Sequence, residues 1–181
     1  MLTIDLKETE YYEQETNTFY TIPAYTLKLE HSLYSLSEWE SRTKKSLIDT
    51  LERGMSIEDT LEYVKCMDLN KPPTELVYYT LTKKDVYEIQ KYIDDPRTAT
   101  TINTFNKSNN FKKQKITSEL IYYWMIEAEI PFECEHWNLN RLFTLIRVIS
   151  AKRDTSKMSK KDLRNYNKAE MARRRRSKSG R

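Results

Sequence analysis

The first part of the chain alternates apolar and polar positions in the manner of β-strands. The segment LTIDL at residues 2–6 keeps its leucines and isoleucine on one face, and YTLKL at residues 25–29 repeats the pattern. Between them, two runs rich in Tyr, Phe and Thr flank residues 15–17, which predicts a hairpin. Pro23 is expected at a strand start or an edge, because it has no N–H for a ladder. We therefore predict that residues 1–31 form a small antiparallel β-element.

The periodicity becomes helical from residue 35 onward. The segment SLSE predicts a capping box in which Ser35 is the N-cap and Glu38 occupies the third helical position. Tyr34 and Trp39 have the spacing of a hydrophobic staple around that cap. We therefore expect the first helix to begin just after Ser35.

Two more capping motifs predict two more helices, SIED at residues 56–59 and TKKD at residues 82–85. Between them, a short helix is predicted to start at Pro73, since proline is favoured in the first helical turn. The helix after TKKD should stop before Asp95, because a residue that precedes proline avoids the helical region. Its predicted buried residues are Val86, Ile89 and Ile93.

The strongest apolar pattern predicts two consecutive helices that form the centre of the core. Thr117 is the predicted N-cap of the first, which ends or kinks at Pro131, and the second is predicted over residues 137–150. Glu135 or Asn138 is placed to cap the second helix. Because the link between them is short, we expect the two helices to be antiparallel neighbours. Their predicted core residues are Leu120, Ile121, Trp124, Met125, Ala128, Leu139, Leu142, Phe143, Ile146 and Ile149.

These patterns predict a mainly α protein with a small N-terminal antiparallel β-element, an α+β fold. The predicted organisation is a β-element at 1–31 packed on the body, a compact helical core at 32–151 and a flexible basic C-terminal tail at 152–181. The tail has 13 Lys and Arg against 3 Asp and Glu, whereas the rest of the chain has 18 against 24. An acidic body thus carries a basic tail. The Asn- and Lys-rich segment 103–115 is the predicted mobile loop.

Composition narrows the classes of protein to which the chain can belong. Only 2 of its 181 residues are glycine, which disfavours glycine-rich phosphate loops. Two cysteines do not make a disulfide framework, and a reducing compartment is the simpler setting. The N-terminus lacks the features of a signal peptide, and the longest apolar run is shorter than the roughly 18 residues of a membrane span. We expect a cytosolic protein without membrane contact.

The segment PFECEHWNLNRLF at residues 131–143 contains the residue types of a metal site. A zinc site would need Cys66, Cys134, His31 and His136, which are all the cysteines and histidines of the chain. Structural zinc ligands usually come in close pairs separated by two to five residues, and the single intervening residue here is not that spacing. We favour a buried, small hydrophobic cysteine beside a histidine at the entry of a helix, and we predict neither metal nor cofactor.

Catalytic chemistry is weakly supported by the same segment. Cys134 and His136 are two residues apart and so face different directions in regular structure, which disfavours a nucleophile–base pair. Glu133 and Glu135 have the composition of an acid–base pair, but loop carboxylates of this kind are usually only solvated. The common nucleotide, hydrolase and metalloprotease motifs are absent from the sequence. We therefore predict a protein that is not an enzyme.

The basic tail is the candidate for partner binding. Arg173, Arg174, Arg175 and Arg176 form a run that would suit phosphates, an acidic protein surface or the acidic body of another copy. A purely solubilising role is equally compatible with the run. Nucleic acid is expected only through this tail, because the net negative body would repel DNA.

Five aromatic residues in the helical core region raise a second way of binding nucleic acid, by stacking on bases. Stacking platforms usually lie among Lys and Arg, whereas the charges near these residues are mostly acidic. Packing in the core is the favoured interpretation. The five residues are Tyr122, Tyr123, Trp124, Trp137 and Phe143.

Three blocks of sequence together resemble a family of small proteins from bacteriophages with long non-contractile tails. They are TLKLEHSLYSLSEWES at residues 26–41, DDPRTATTI at 94–102 and ELIYYWMIEAEIPFECEHWNLNRLFTLIRV at 119–148. The family is described as tail assembly chaperones of siphovirus-type phages, encoded beside the tape measure gene. The resemblance covers most of residues 1–170 and carries no catalytic motif.

The resemblance implies a helical chaperone that coats the tape measure protein, recruits tail-tube subunits in the host cytoplasm and is absent from the finished virion. Self-association is a further expectation. The alternative is a structural virion component, such as a head–tail connector or a tail completion protein. A third hypothesis is a phage factor that acts on nucleic acid through the tail.

Overall fold

The computed structural model describes residues 1–15, 17–100 and 115–156, together with the single positions 164, 168 and 171. All but the last residue of the predicted loop 103–115 lies outside the described residues, as does most of the predicted tail.

The described fold is mainly helical with a small antiparallel β-element at the N-terminus, as the sequence predicts. Its strands are β1 (Leu2–Leu6), β2 (Thr9–Glu13), β3 (Thr18–Ile22) and β4 (Tyr25–Leu29). Its helices are α1 (Leu33–Thr43), α2 (Leu47–Arg53), α3 (Ile57–Met67), α4 (Lys83–Asp94), α5 (Ser118–Glu127) and α6 (Leu139–Ser156). Two 3₁₀ helices complete it, η1 (Glu75–Thr80) and η2 (Phe132–His136).

The four strands form two antiparallel pairs that follow one another in a shared register, and we call them together the N-terminal ribbon. β1 pairs with β4 up to Leu6 and Tyr25, and β2 pairs with β3 from Thr9 and Ile22 onward. Two residues lie between the strands on each side, so the register is the same in both halves. Pro23 falls in this gap, where it removes no ladder hydrogen bond. The predicted β-element and hairpin are confirmed.

The half of the ribbon formed by β1 and β4 packs on the helices, together with Ile22 at the end of β3. Ile4, Leu6, Leu27 and Leu29 are buried, and they belong to the same hydrophobic core as the helices. The backbone of β4 and of the residue after it also bonds to the end of α3: the Lys28 carbonyl accepts from the Leu69 N–H at 2.9 Å, and the Glu30 N–H donates to the Met67 carbonyl at 3.0 Å. The β-element is therefore an integral part of the body.

The first helix begins one turn earlier than the sequence predicted. Its N-cap is Ser32. Ser35 is the third residue of the helix, and its Oγ accepts a hydrogen bond from the Ser32 N–H at 2.9 Å. The helix starts there because Leu33 and Leu36 are both fully buried. The predicted cap at Ser35 is wrong, and so is the staple, since Tyr34 is exposed while its supposed partner Trp39 is buried.

The middle helices follow the predictions with three corrections. Thr82 and Asp85 form the complete predicted capping box of α4, which ends at Asp94 as expected. Val86 is 36% exposed and not buried, because Ile89, Tyr92 and Ile93 form the inner face of α4. The short helix before it is of the 3₁₀ type, with Thr74 as its N-cap rather than a start at Pro73. Helix α2 was not predicted.

Thr117 is the N-cap residue of α5, as predicted, but Glu40 supplies the side-chain capping bond. The Thr117 side chain makes no capping bond, whereas the buried Glu40 carboxylate accepts from the Ser118 N–H at 2.7 Å. Its other oxygen accepts from the Leu47 N–H, the first residue of α2, at 3.0 Å. One carboxylate on α1 thus serves the N-termini of two other helices.

The last two helices are not the antiparallel pair that the sequence predicted. α5 packs mainly on α1. Arg153, near the C-terminal end of α6, donates to the Glu127 carbonyl at the C-terminal end of α5. In an antiparallel pair, the N-terminal end of α6 would lie there instead. Helix α6 also continues to Ser156, past the predicted end at residue 150. Of the two candidate caps, Asn138 accepts from the Asn140 N–H at 3.2 Å.

Candidate interaction surface

The segment PFECEHW forms a hinge that begins with a helix-ending motif. After α5, Glu129 adopts a left-handed conformation with φ 54°. The Ile130 N–H then donates to the Met125 carbonyl at 2.9 Å, and the Glu129 N–H donates to the Ile126 carbonyl at 3.0 Å. This pair of bonds defines a Schellman motif, usually built with glycine at the left-handed position. Pro131 follows and leads into η2.

The Cys and His of this hinge point to different surroundings. Cys134 is buried in the core, whereas the His136 side chain is 64% exposed. Burial raises the pKa of the Cys134 thiol, which lowers its thiolate fraction at neutral pH. The arrangement is that of a core cysteine beside a surface histidine.

The other two candidate metal ligands are engaged elsewhere. His31 is buried, with Nδ1 2.5 Å from the Tyr63 hydroxyl oxygen. Burial raises the pKa of the Cys66 thiol on α3 to about 11. Among the residues that the structure describes, no three His, Cys, Asp or Glu side chains are grouped to hold a metal ion.

The two glutamates of the hinge also have different roles. Glu133 is exposed, whereas the half-buried Glu135 accepts from the Tyr122 hydroxyl at 2.6 Å. Burial raises the pKa of Tyr122, and the Glu135 charge adds to that effect, so the phenol stays a donor. Glu135 fixes the hinge to α5.

Two pairs of aromatic rings lie beside η2. The Tyr34 ring lies 5.4 Å from the His136 ring, and the Tyr122 ring lies 6.2 Å from that of Phe132. Glu135 joins the two pairs through its bond to Tyr122 and its 3.5 Å contact with His136. Phe132 is 55% exposed. We call these residues and Trp137 the η2 surface.

Trp137 extends this surface toward α6. Its ring is exposed, and the Arg141 guanidinium lies 4.4 Å from the ring centre in a cation–π contact. The preference for core packing of the five aromatic residues is therefore correct only in part: Trp124 and Phe143 pack against the core and Tyr122 is partly buried, but Tyr123 and Trp137 are exposed. Sequence reasoning missed Tyr34 and Phe132, whose exposure depends on the helix start and the hinge.

Three glutamates lie around the η2 surface, one of which, Glu129, pairs with Arg153 at 3.4 Å. Glu127, Glu129 and Glu133 are exposed on the two sides of the hinge. An apolar centre with glutamates around it suits a partner that presents apolar residues among Lys and Arg. The predicted partner-binding residues Arg173, Arg174, Arg175 and Arg176 lie outside the described residues, so their role stays a prediction.

Comparisons with protein-family models, with curated proteins and with solved structures returned no match to this chain. Within the described part of the chain, no helix is both long enough and apolar enough to cross a membrane.

Proposed function

We propose that the chain is a non-enzymatic tail assembly chaperone of a long-tailed bacteriophage, which binds the tape measure protein in the host cytoplasm and helps tail-tube assembly. The observation that carries the proposal is the η2 surface. Two of the three blocks that resemble the phage family supply it, since Tyr34 lies in the block 26–41 and the other members lie in the block 119–148. The family resemblance and the exposed aromatic surface therefore coincide.

The chemistry of the surface suits a helical, aggregation-prone client. A long helical client exposes apolar stripes until it is assembled, and such stripes need an apolar counterpart of adaptable shape. The rings of Phe132 and Tyr34 are exposed at the hinge. The ring of Trp137 is also exposed and contacts Arg141. Aromatic anchors with a charged rim are typical of protein-binding surfaces. The glutamates around the surface add a preference for basic client segments and disfavour DNA.

Co-expression with the tape measure protein encoded beside this chain tests the proposal. Wild-type protein should keep the tape measure protein soluble and be recovered with it in a pull-down. The double variant Phe132→Ser/Trp137→Ser should lose both effects, because it removes two exposed rings. Tyr87→Ser removes a ring that is 66% exposed on α4 and serves as the matched control. If the wild-type protein has no effect on solubility or recovery, the proposal fails.

Purified virions separate this function from the structural alternative. A chaperone should be absent from virions or present only in traces by quantitative mass spectrometry. A fixed stoichiometric copy number would instead favour a connector or a tail completion protein.

A further inference from the structure

The outer part of the N-terminal ribbon, residues 9–15 and 17–21, lies beyond Ile22, the one residue of β2 and β3 that is buried in the core. We call it the β-arm. Tyr11 and Tyr20 are opposite each other on one face, and Tyr12 and Phe19 are opposite each other on the other face. All four are exposed, and Phe19 is 68% exposed. An isolated two-stranded ribbon is only marginally stable in water. Four exposed aromatic rings on such a ribbon are unusual unless a partner covers them.

The two edges of the β-arm differ in charge. β2 contains Glu10 and Glu13, and Glu8 and Glu15 flank it. β3, with the sequence TFYTI, contains no charged residue, no glycine and no proline. Within the described residues, neither strand pairs with a third strand. Natural edge strands are usually protected by charges, and only the β2 edge has that protection.

We propose that the β3 edge is a self-association site, where the β3 strands of two copies pair antiparallel about a two-fold axis at Phe19. The product is a four-stranded sheet in the order β2, β3, β3, β2. A two-fold axis makes the interface isologous: the uncharged β3 edge of one copy contacts the same edge of the other copy. This inference does not depend on the tail chaperone proposal.

Charge favours a second copy in this arrangement. The two β2 strands occupy the outer edges of the sheet and are three strand spacings apart, about 14 Å. That separation exceeds the Debye length at physiological ionic strength, about 8 Å, so the glutamates of the two copies hardly repel one another. Pairing through the β2 edges would instead bring Glu10 and Glu13 of both copies together.

The exposed rings favour the position of the axis at Phe19. The Phe19 ring already lies 4.8 Å from the Tyr12 ring. A two-fold axis at Phe19 places both Phe19 rings side by side and makes a row of four aromatic rings across the sheet, which cross-strand aromatic pairs stabilise. Phe19 is also next to the first residue after the turn, so the second copy approaches the tip of the β-arm and avoids the body.

Sedimentation velocity of the full chain tests the site. Wild-type protein should show a concentration-dependent monomer–dimer equilibrium. Phe19→Lys places like charges opposite each other across the axis and should weaken the dimer at least about tenfold. Tyr12→Lys is the control: Tyr12 lies on the same face and pairs with Phe19, but it belongs to β2, which is outside the proposed contact. This variant should weaken the dimer less. Both positions are exposed, so thermal melts of the variants should match the wild type.

A charge swap makes the test specific for the two-fold axis. Phe19→Lys and Phe19→Glu proteins should each be monomeric alone and should form a mixed dimer when combined. A monomeric wild type at micromolar concentration would overturn the proposal. So would a dimer that Phe19→Lys leaves intact, an equal loss in Tyr12→Lys, or the absence of a mixed dimer.

Discussion

At the scale of single residues, Glu40 carries more of the fold than its position on a helix suggests. Its two oxygens accept from the backbone of Leu47 and Ser118, which are 7 and 78 residues away along the chain. A buried donor that loses its acceptor costs about 1–3 kcal/mol, because it has given up its water. Glu40 therefore links α1 to the starts of α2 and α5.

Replacement of this carboxylate should be costly. Glu40→Ala leaves two buried N–H groups without acceptors and should lower the free energy of unfolding by about 2–4 kcal/mol in urea titrations. Glu40→Gln keeps one acceptor oxygen and should lose about half as much. Glu38→Ala is the control on the same helix, since its exposed contact with Arg42 at 3.7 Å contributes little. Equal losses at positions 38 and 40 would contradict the capping role.

His31 makes the stability of the protein depend on pH. Burial lowers the pKa of His31 from 6.5 to about 4, against a smaller opposing effect of the Glu30 and Asp94 charges. Because the unfolded chain binds this proton near pH 6.5 and the folded chain does not, stability is full above pH 6.5. The free energy of unfolding should fall by about 3 kcal/mol as the pH drops to about 4. Below that pH, His31 should cause little further loss.

Urea unfolding at several pH values between 7.5 and 4 measures this dependence. His31→Gln should remove most of the fall in the free energy of unfolding between pH 6.5 and 4. The variant should also be less stable than the wild type at pH 7.5. A wild-type slope in His31→Gln would assign the pH dependence to other groups.

At the scale of elements, the sequence predicted best those features whose partners are close along the chain. The Thr82 and Asp85 box joins residues three apart, and Asn138 caps through a residue two positions later. The strand alternation in residues 1–31 is local in the same sense. Such four-residue patterns also mislead, since SLSE has the residues of a capping box but lies inside α1, where burial of Leu33 and Leu36 decides the start.

The remaining features depend on contacts between distant segments and leave no local pattern. Glu40 has the sequence context of an ordinary surface glutamate on a helix. The aromatic residues of the η2 surface have the composition of a core, and only the hinge after α5 turns Phe132 and Trp137 outward. The packing of α5 on α1 is another such feature, because a short link alone suggested a different neighbour.

Burial within the elements ranks three core substitutions. Leu142 and Trp39 are fully buried, so Leu142→Ala should cost about 2–5 kcal/mol and Trp39→Ala about 3–5 kcal/mol. Trp39 also donates from Nε1 to the Asp59 carbonyl at 3.2 Å. Trp124 is only partly buried, and Trp124→Ala should cost less than either. Chemical denaturation gives the order, and a larger loss for Trp124 than for Trp39 would contradict it.

At the scale of the whole molecule, the body and the basic end of the chain should be separable. Residues 157–181 contain few apolar residues among many Lys and Arg, so they have little surface to bury in a core. Deletion of these residues should leave the melting temperature nearly unchanged in calorimetry. The cut belongs after Ser156, because Arg153 still bonds to the end of α5. A large drop in melting temperature would place part of this segment in the folded body.

The unbroken register of the N-terminal ribbon makes its outer half exchangeable. Leu6 and Tyr25 are paired at the base of the β-arm, so a two-residue turn such as Asn-Gly would connect them directly. Residues 7–24 would then be replaced, which removes one core side chain, Ile22, and leaves the buried residues of β1 and β4 in place. The molecule has the layout of a display scaffold, in which a constant body carries a tip that protein engineering can exchange.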